Sequence, residues 1–183
     1  MIDKTANQAL ARAIYAQDPQ RVQEVIAANP SLVRDFVTTE DLKRSWLNLA
    51  VKDGNAAVVA AMLDAGYNIN VQLIPTGDTP LQTAILFEKD ETVELLIARG
   101  ANPNLDRSLV SALNWKLSPE RRLRYVTLLV EAGADLNRLY NLYDDPGCRL
   151  AAIDWTDDPA VIDLLRSHGA KTAYELEAER EEV

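Results

Sequence analysis

Glycine recurs at the end of one short motif, and that recurrence constrains the fold more than any other feature of the chain. Asp64-Ala65-Gly66-Tyr67-Asn68-Ile69-Asn70 is followed by Ala98-Arg99-Gly100-Ala101-Asn102-Pro103-Asn104, Glu131-Ala132-Gly133-Ala134-Asp135-Leu136-Asn137 and Ser167-His168-Gly169-Ala170. The glycine intervals are 34, 33 and 36 residues. A period in that range means a stack of like units, each too small to bury its apolar face alone. Nineteen positions before Gly66, Gly100 and Gly169 stand Leu47, Leu81 and Leu150. For Gly133 the matching leucine reads as Leu113, twenty before, which implies a one-residue insertion. An earlier, less regular copy runs from about Leu10 to Asn29 and ends in Asn29-Pro30-Ser31-Leu32. Asn tolerates the left-handed backbone that Gly adopts at a helix end, at greater cost.

Each of the five copies reads as two short helices and a loop. Thr79-Pro80-Leu81-Gln82 opens a first helix, with Thr79 as N-cap, Pro80 in the first turn and Gln82 at the capping-box position. Ser45…Asn48 and Ser111…Asn114 read as weaker versions of the same device. The second helices carry apolar residues at helical spacing: Val22, Val25, Ile26; Val59, Met62, Leu63; Val93, Leu96, Ile97; Val126, Leu129, Val130; Ile162, Leu165. That stripe predicts core. Where the other copies place Ile26, Leu63, Ile97 and Val130, the last has Arg166, as a solvent-facing terminal cap would.

Thr79-Pro80-Leu81-Gln82-Thr83-Ala84, then Val93-Glu94-Leu95-Leu96, then Gly100-Ala101-Asn102-Pro103-Asn104 resembles an ankyrin repeat. The resemblance is strong in the third copy, good in the second and fourth, degenerate in the first and fifth. It departs from the family pattern at Asn48 and Gln82, which replace the usual His, and at Glu88-Lys89, which replaces Gly-His between the helices. The resemblance implies an all-α ankyrin-repeat solenoid of about five helix–turn–helix repeats joined by loop or β-hairpin-like connections. The expected domain spans 1–173, with repeats near 5–38, 39–72, 73–106, 107–140 and 141–173, and an acidic tail at 174–183.

Composition narrows the function classes. The 183 residues carry 19 Lys+Arg against 28 Asp+Glu, a formal charge of -9. That field repels phosphate, so neither nucleic acid nor an anionic membrane is an expected partner. One cysteine (Cys148) excludes an internal disulfide, and with one histidine (His168) it makes a Cys/His zinc site implausible. No stretch has the apolar length of a membrane span, and Met1-Ile2-Asp3-Lys4 opens no signal peptide. The expectation is a soluble, cytoplasmic protein with no cofactor and no metal.

Catalytic candidates are few. His168 reads as a helix C-terminal cap, Cys148 as a structural thiol in the slot of Thr79, and Asp144-Asp145 and Asp157-Asp158 as solvated loop acids. The chain is therefore expected not to be an enzyme, an enzyme grafted on the solenoid being the remote alternative. By the ankyrin resemblance, a partner protein would be bound on a concave face, through first-helix ends and loop tips. The helix ends supply Tyr15, Lys52, Asp53, Leu86, Phe87 and Trp155. Aromatics there are what an interface hot spot requires, unless altered turns rotate them into the core. The loop tips supply Asp78 and Arg107 and, in the long loop after the fourth repeat, Tyr140, Tyr143, Asp144 and Asp145. That loop reads either as a finger for a basic partner or as tyrosines pinning the loop back. Compact acidic proteins of this kind resemble two classes, a general adaptor and an immunity protein that masks a cognate toxin or effector.

Overall fold

In a computed structural model the apolar periodicities become, among the described residues, ten α-helices, the first eight arranged in pairs. The structure describes residues 4–34, 37–39, 42–74, 76–142 and 145–181. The helices are α1 (Lys4–Tyr15), α2 (Pro19–Ala28), α3 (Trp46–Asp53), α4 (Ala56–Asp64), α5 (Pro80–Leu86), α6 (Asp90–Ala98), α7 (Ser108–Ala112), α8 (Pro119–Glu131), α9 (Pro159–Ser167) and α10 (Ala173–Glu181). Two antiparallel hairpins join them: β1 (Val37–Thr39) with β2 (Leu42–Arg44), and β3 (Tyr140–Leu142) with β4 (Asp145–Leu150). The chain divides into two compact units, 1–106 and 107–183.

In the first unit, α3 packs between α1 and α5, and α4 between α2 and α6. Leu10, Ile14, Leu47, Leu81 and Ile85 fill the first-helix layer; Val22, Met62, Val93 and Leu96 fill the second. A fully buried Leu contributes about 1.5–3 kcal/mol, and each of these meets the neighbouring repeat as well as its own. Side-chain caps start the helices where the sequence places them: Ser45 accepts from the Asn48 N–H and Thr79 from the Gln82 N–H. Asn48 replaces the usual His and donates laterally to Thr83 of the next repeat at 2.9 Å. Asp106 accepts from both the backbone and the hydroxyl of Thr79.

The repeated motif has a separable reason at each position. Gly100 and Gly133 sit at φ 82° and 83°, in the left-handed region that ends a helix at low cost only in glycine. Two residues further on, Asn68, Asn102 and Asp135 each accept from the N–H two residues ahead, an Asx turn. The closing Asn then reaches the next repeat. Asn70 accepts from the Asn102 N–H at 2.9 Å, and Asn137 accepts from the Lys171 N–H at 2.8 Å while donating to the Gly169 carbonyl. Tyr67 replaces the motif's Ala where the degenerate first repeat precedes it. Its buried hydroxyl donates to the Leu32 carbonyl, and burial pushes the phenol well above its ordinary pKa.

The second unit corrects two register assignments. In α7 the buried residues are Leu109, Ala112 and Leu113, with the spacing of Leu81, Ala84 and Ile85. The equivalent of Leu81 is therefore Leu109, not Leu113. The helix begins at Ser108 after an Arg107 that makes no side-chain cap, and Ser111…Asn114 does not start it. Leucines four apart share a helix face, so periodicity alone does not separate the two registers. The extra residues lie instead in the turn between α7 and α8. In the last repeat, Leu150 is half-buried at the end of β4, and the first helix contracts to a 3₁₀ turn, Ala152–Trp155.

The last described residues are helical, and Arg166 is exposed as its reading expected. Residues read as a tail form α10 as far as Glu181, started by a reciprocal box: Thr172 accepts from the Glu175 N–H and Glu175 from the Thr172 N–H. Arg166, read as a solvent-facing cap, donates to the Ala170 carbonyl and to Glu175. His168 is the C-cap residue of α9, its Nδ1 2.9 Å from the Leu164 carbonyl.

Two predictions follow from the turns. Gln17 holds φ 55° between α1 and α2, so Gln17→Gly should raise stability by about 1 kcal/mol, seen as a higher urea midpoint at unchanged slope. Asn137→Ala removes both links to the last repeat and should cost about 1–3 kcal/mol in the same measurement.

Candidate functional site

The first helices of the first unit end side by side, and their last residues make a row. Tyr15 closes α1, Lys52 and Asp53 close α3, and Leu86 and Phe87 end α5. Tyr15 is 58% exposed, Leu86 48% and Phe87 47%. The Lys52 ammonium lies 5.1 Å from the centre of the Phe87 ring, so neighbouring repeats meet at the surface through a cation over an aromatic face. Asp53 is half-buried beside it. The non-glycine turn at Glu88-Lys89 does not rotate Phe87 inward. Glu88 takes φ 53°, and the Glu88 and Lys89 N–H groups donate to the Ile85 and Ala84 carbonyls, which closes the helix while the ring stays outside. Each exposed aromatic of the row thus precedes a strained non-glycine turn, at Gln17 and at Glu88.

Trp155 belongs to no such row. It ends the 3₁₀ turn half-buried, and its indole N–H is enclosed with no hydrogen-bond partner among the described residues. The tighter period of a 3₁₀ turn explains the difference, since a residue aligned by counting along an α-helix faces another way.

The loop-tip candidates separate. In the first unit, Asp78 closes the loop from Leu73, its carbonyl accepting from the Leu73 N–H and its own N–H donating to Thr76 Oγ1. In the second unit, Tyr140 is only 7% exposed and lies between two guanidinium groups, Arg138 at 5.2 Å and Arg107 at 5.9 Å from its ring centre. Arg107 also donates to the Asn141 carbonyl at 3.0 Å. Tyr140 thereby pins the hairpin and is not presented by it. Asp145 begins β4 opposite Leu142, while Tyr143 and Asp144 lie outside the described residues.

Two features escaped the sequence reading. Trp115 is 80% exposed in the α7–α8 turn, a position hidden by the misread register of α7. Asp158, read as a solvated loop acid, instead caps α9 through the Ala160 N–H and pairs with Arg122 at 3.4 Å, both side chains largely buried. The acids of α10 are likewise engaged: Glu175 with Arg166, Glu177 with Arg149, Glu179 with Lys171. Asp154 ties the 3₁₀ turn to the start of α10 by accepting from the Ala151 and Ala173 N–H groups. Among the described residues no His, Cys, Asp and Glu side chains group to hold a metal ion, and no helix is long and apolar enough to cross a membrane.

A family signature described as ankyrin repeats (3 copies) matches residues 10–107 and again 47–140. The chain belongs to the ankyrin repeat family. It is 27% identical over 172 residues to the B-cell lymphoma 3 protein homolog of Mus musculus, covering 94% of this chain and 37% of that protein. It is 33% identical over 99 residues to the ankyrin repeat, SAM and basic leucine zipper domain-containing protein 1 of Mus musculus, covering 52% and 21%. A putative ankyrin repeat protein of fowlpox virus (strain NVSL) is 41% identical over 66 residues, covering 34% and 16%. The chain thus spans well under two thirds of the length of these relatives.

The second unit generates a pH prediction. The Arg166 hydrogen bond, and after it the Thr172 backbone N–H, lowers the Glu175 carboxyl from 4.5 to about 2. A carboxyl lowered by folding stabilises above its unfolded value, and that contribution is lost as pH falls towards the folded one. Protection of the α10 amides, measured against their intrinsic exchange rates, should therefore fall between about pH 4.5 and 2, and Glu175→Gln should flatten that dependence.

Proposed function

We propose that the chain is a protein-interaction module whose first unit engages a partner protein through Tyr15, Lys52, Leu86 and Phe87. One observation carries the reading: three large apolar side chains stand about half in water at equivalent ends of α1 and α5, the two helices packed on either side of α3. Nothing in the packing of a repeat stack requires apolar groups there, and side chains anchored on rigid helices lose little entropy on docking. Membership of the ankyrin repeat family, whose repeats generally serve as protein-interaction modules, supports the same class. Lys52 and Asp53 end the middle helix of the three, so the row sets a pair of charged residues between apolar groups on either side, the Lys52 ammonium lying over the Phe87 ring. Asp78 offers a polar contact at a loop tip of the same unit.

The test is titration of a partner recovered by affinity capture against the unaltered chain and against Tyr15→Ala with Phe87→Ala. The double variant should bind at least about a hundredfold more weakly, the range of two hot-spot truncations, with helicity unchanged. Undiminished affinity at intact helicity would remove this row from the interface.

A further inference from the structure

The row at the ends of α1, α3 and α5 contains two adjacent opposite charges, neither with an oppositely charged partner. Lys52 and Asp53 are consecutive in the last turn of α3. The Lys52 ammonium lies over the Phe87 ring and meets no carboxylate among the described residues. The carboxylate of half-buried Asp53 makes no hydrogen bond or ion pair among them either. The negative end of a helix disfavours a carboxylate, so α3 itself gives no reason for an acid at its last position. Both charges are open to a group from outside the chain.

Along the row the order is apolar, charged, apolar: Tyr15, then Lys52 and Asp53, then Leu86 and Phe87. The charged residues are central because α3 packs between α1 and α5. Such an order matches itself after a half-rotation, the requirement of a two-fold interface, in which residue i meets j and j meets i. We propose that the row joins two copies of this chain about a two-fold axis passing by the end of α3. Lys52 of one protomer faces Asp53 of the other, twice, and Tyr15 packs against Leu86 and Phe87 of the other, also twice. The inference rests on the row being a protein contact, and it names the occupant. Lys52 and Asp53 sum to zero charge, so the row favours neither a basic nor an acidic partner. A plus and a minus side by side are complemented by a minus and a plus in reverse order, which a second copy supplies. So few side chains form a small interface, and the dimer is a weak one, with Kd on the order of 10 µM.

Sedimentation equilibrium of the whole chain between about 1 and 200 µM tests this, with the mass expected to rise from monomer towards dimer. Tyr15→Ala with Phe87→Ala should abolish the rise at unchanged helicity. Lys52→Asp and Asp53→Lys each set like charges across the axis, and each should weaken self-association about tenfold or more. Mixed one to one, the two swapped chains regain both opposite-sign contacts. They should then form a heterodimer within about threefold of the unaltered Kd. Two chains that had merely lost their fold would not recover on mixing. The proposal is overturned if the unaltered chain stays monomeric to about 200 µM, well above the Kd given. It is equally overturned if association survives the Tyr15→Ala, Phe87→Ala variant, or if the mixture associates no better than either swapped chain alone. A chain that is monomeric throughout, while a captured partner still loses affinity for the double variant, overturns the dimer and keeps the row as a contact for another protein.

Discussion

A single repeat does not bury its own apolar face, so within each unit the structure depends on the contact one helix pair makes with the next. Leu47 and Leu81 are interior only because α3 and α5 lie against one another, and Met62 only because α4 is covered on both sides. The hydrogen bonds of the motif serve that contact. Asn70 holds the Asn102 backbone, and Asn137 holds Gly169 and Lys171. Each is a small term beside the apolar burial, but together they set the spacing at which the leucines meet. Even the exposed pair Arg99–Asp64 joins successive copies, from neighbouring positions of the motif.

Because stacking consumes the flanks of each helix, the helix ends are what remain exposed. In the first unit those ends carry Tyr15, Leu86 and Phe87, and two non-glycine residues at positive φ hold the turns behind them. In the second unit the contraction of α7 lengthens the next turn, and Arg122 stiffens it. Both units therefore present aromatic side chains from rigid backbone, by different means.

The repeat count and most of the core were readable because a stacked fold writes its period into the chain. The glycines mark helix ends, and residues three and four apart mark buried faces. Register within the fourth repeat was not readable, since Leu109 and Leu113 satisfy the same periodicity and only burial chooses between them. That single ambiguity concealed Trp115. Tyr140 was open for a related reason: its two cationic neighbours are its near neighbour Arg138 and Arg107, thirty-three residues away, and only folding brings the second to the ring. The Thr172…Glu175 box was present as a local signal, but acidic composition around it obscured a helix in which Glu175, Glu177 and Glu179 are paired.

The sequence by itself determined the family, the helical class and the glycine-marked ends of the second helices, because these rest on local preferences and on a periodic apolar stripe. The tertiary structure alone decided which aromatics face water. Tyr15 and Phe87 stand out, Trp155 turns partly in, Tyr140 is covered and Trp115 projects. The physical reason is that exposure depends on what packs alongside: a helix shortened by one turn, or an arginine reaching across a loop, changes a ring's environment without changing the motif around it.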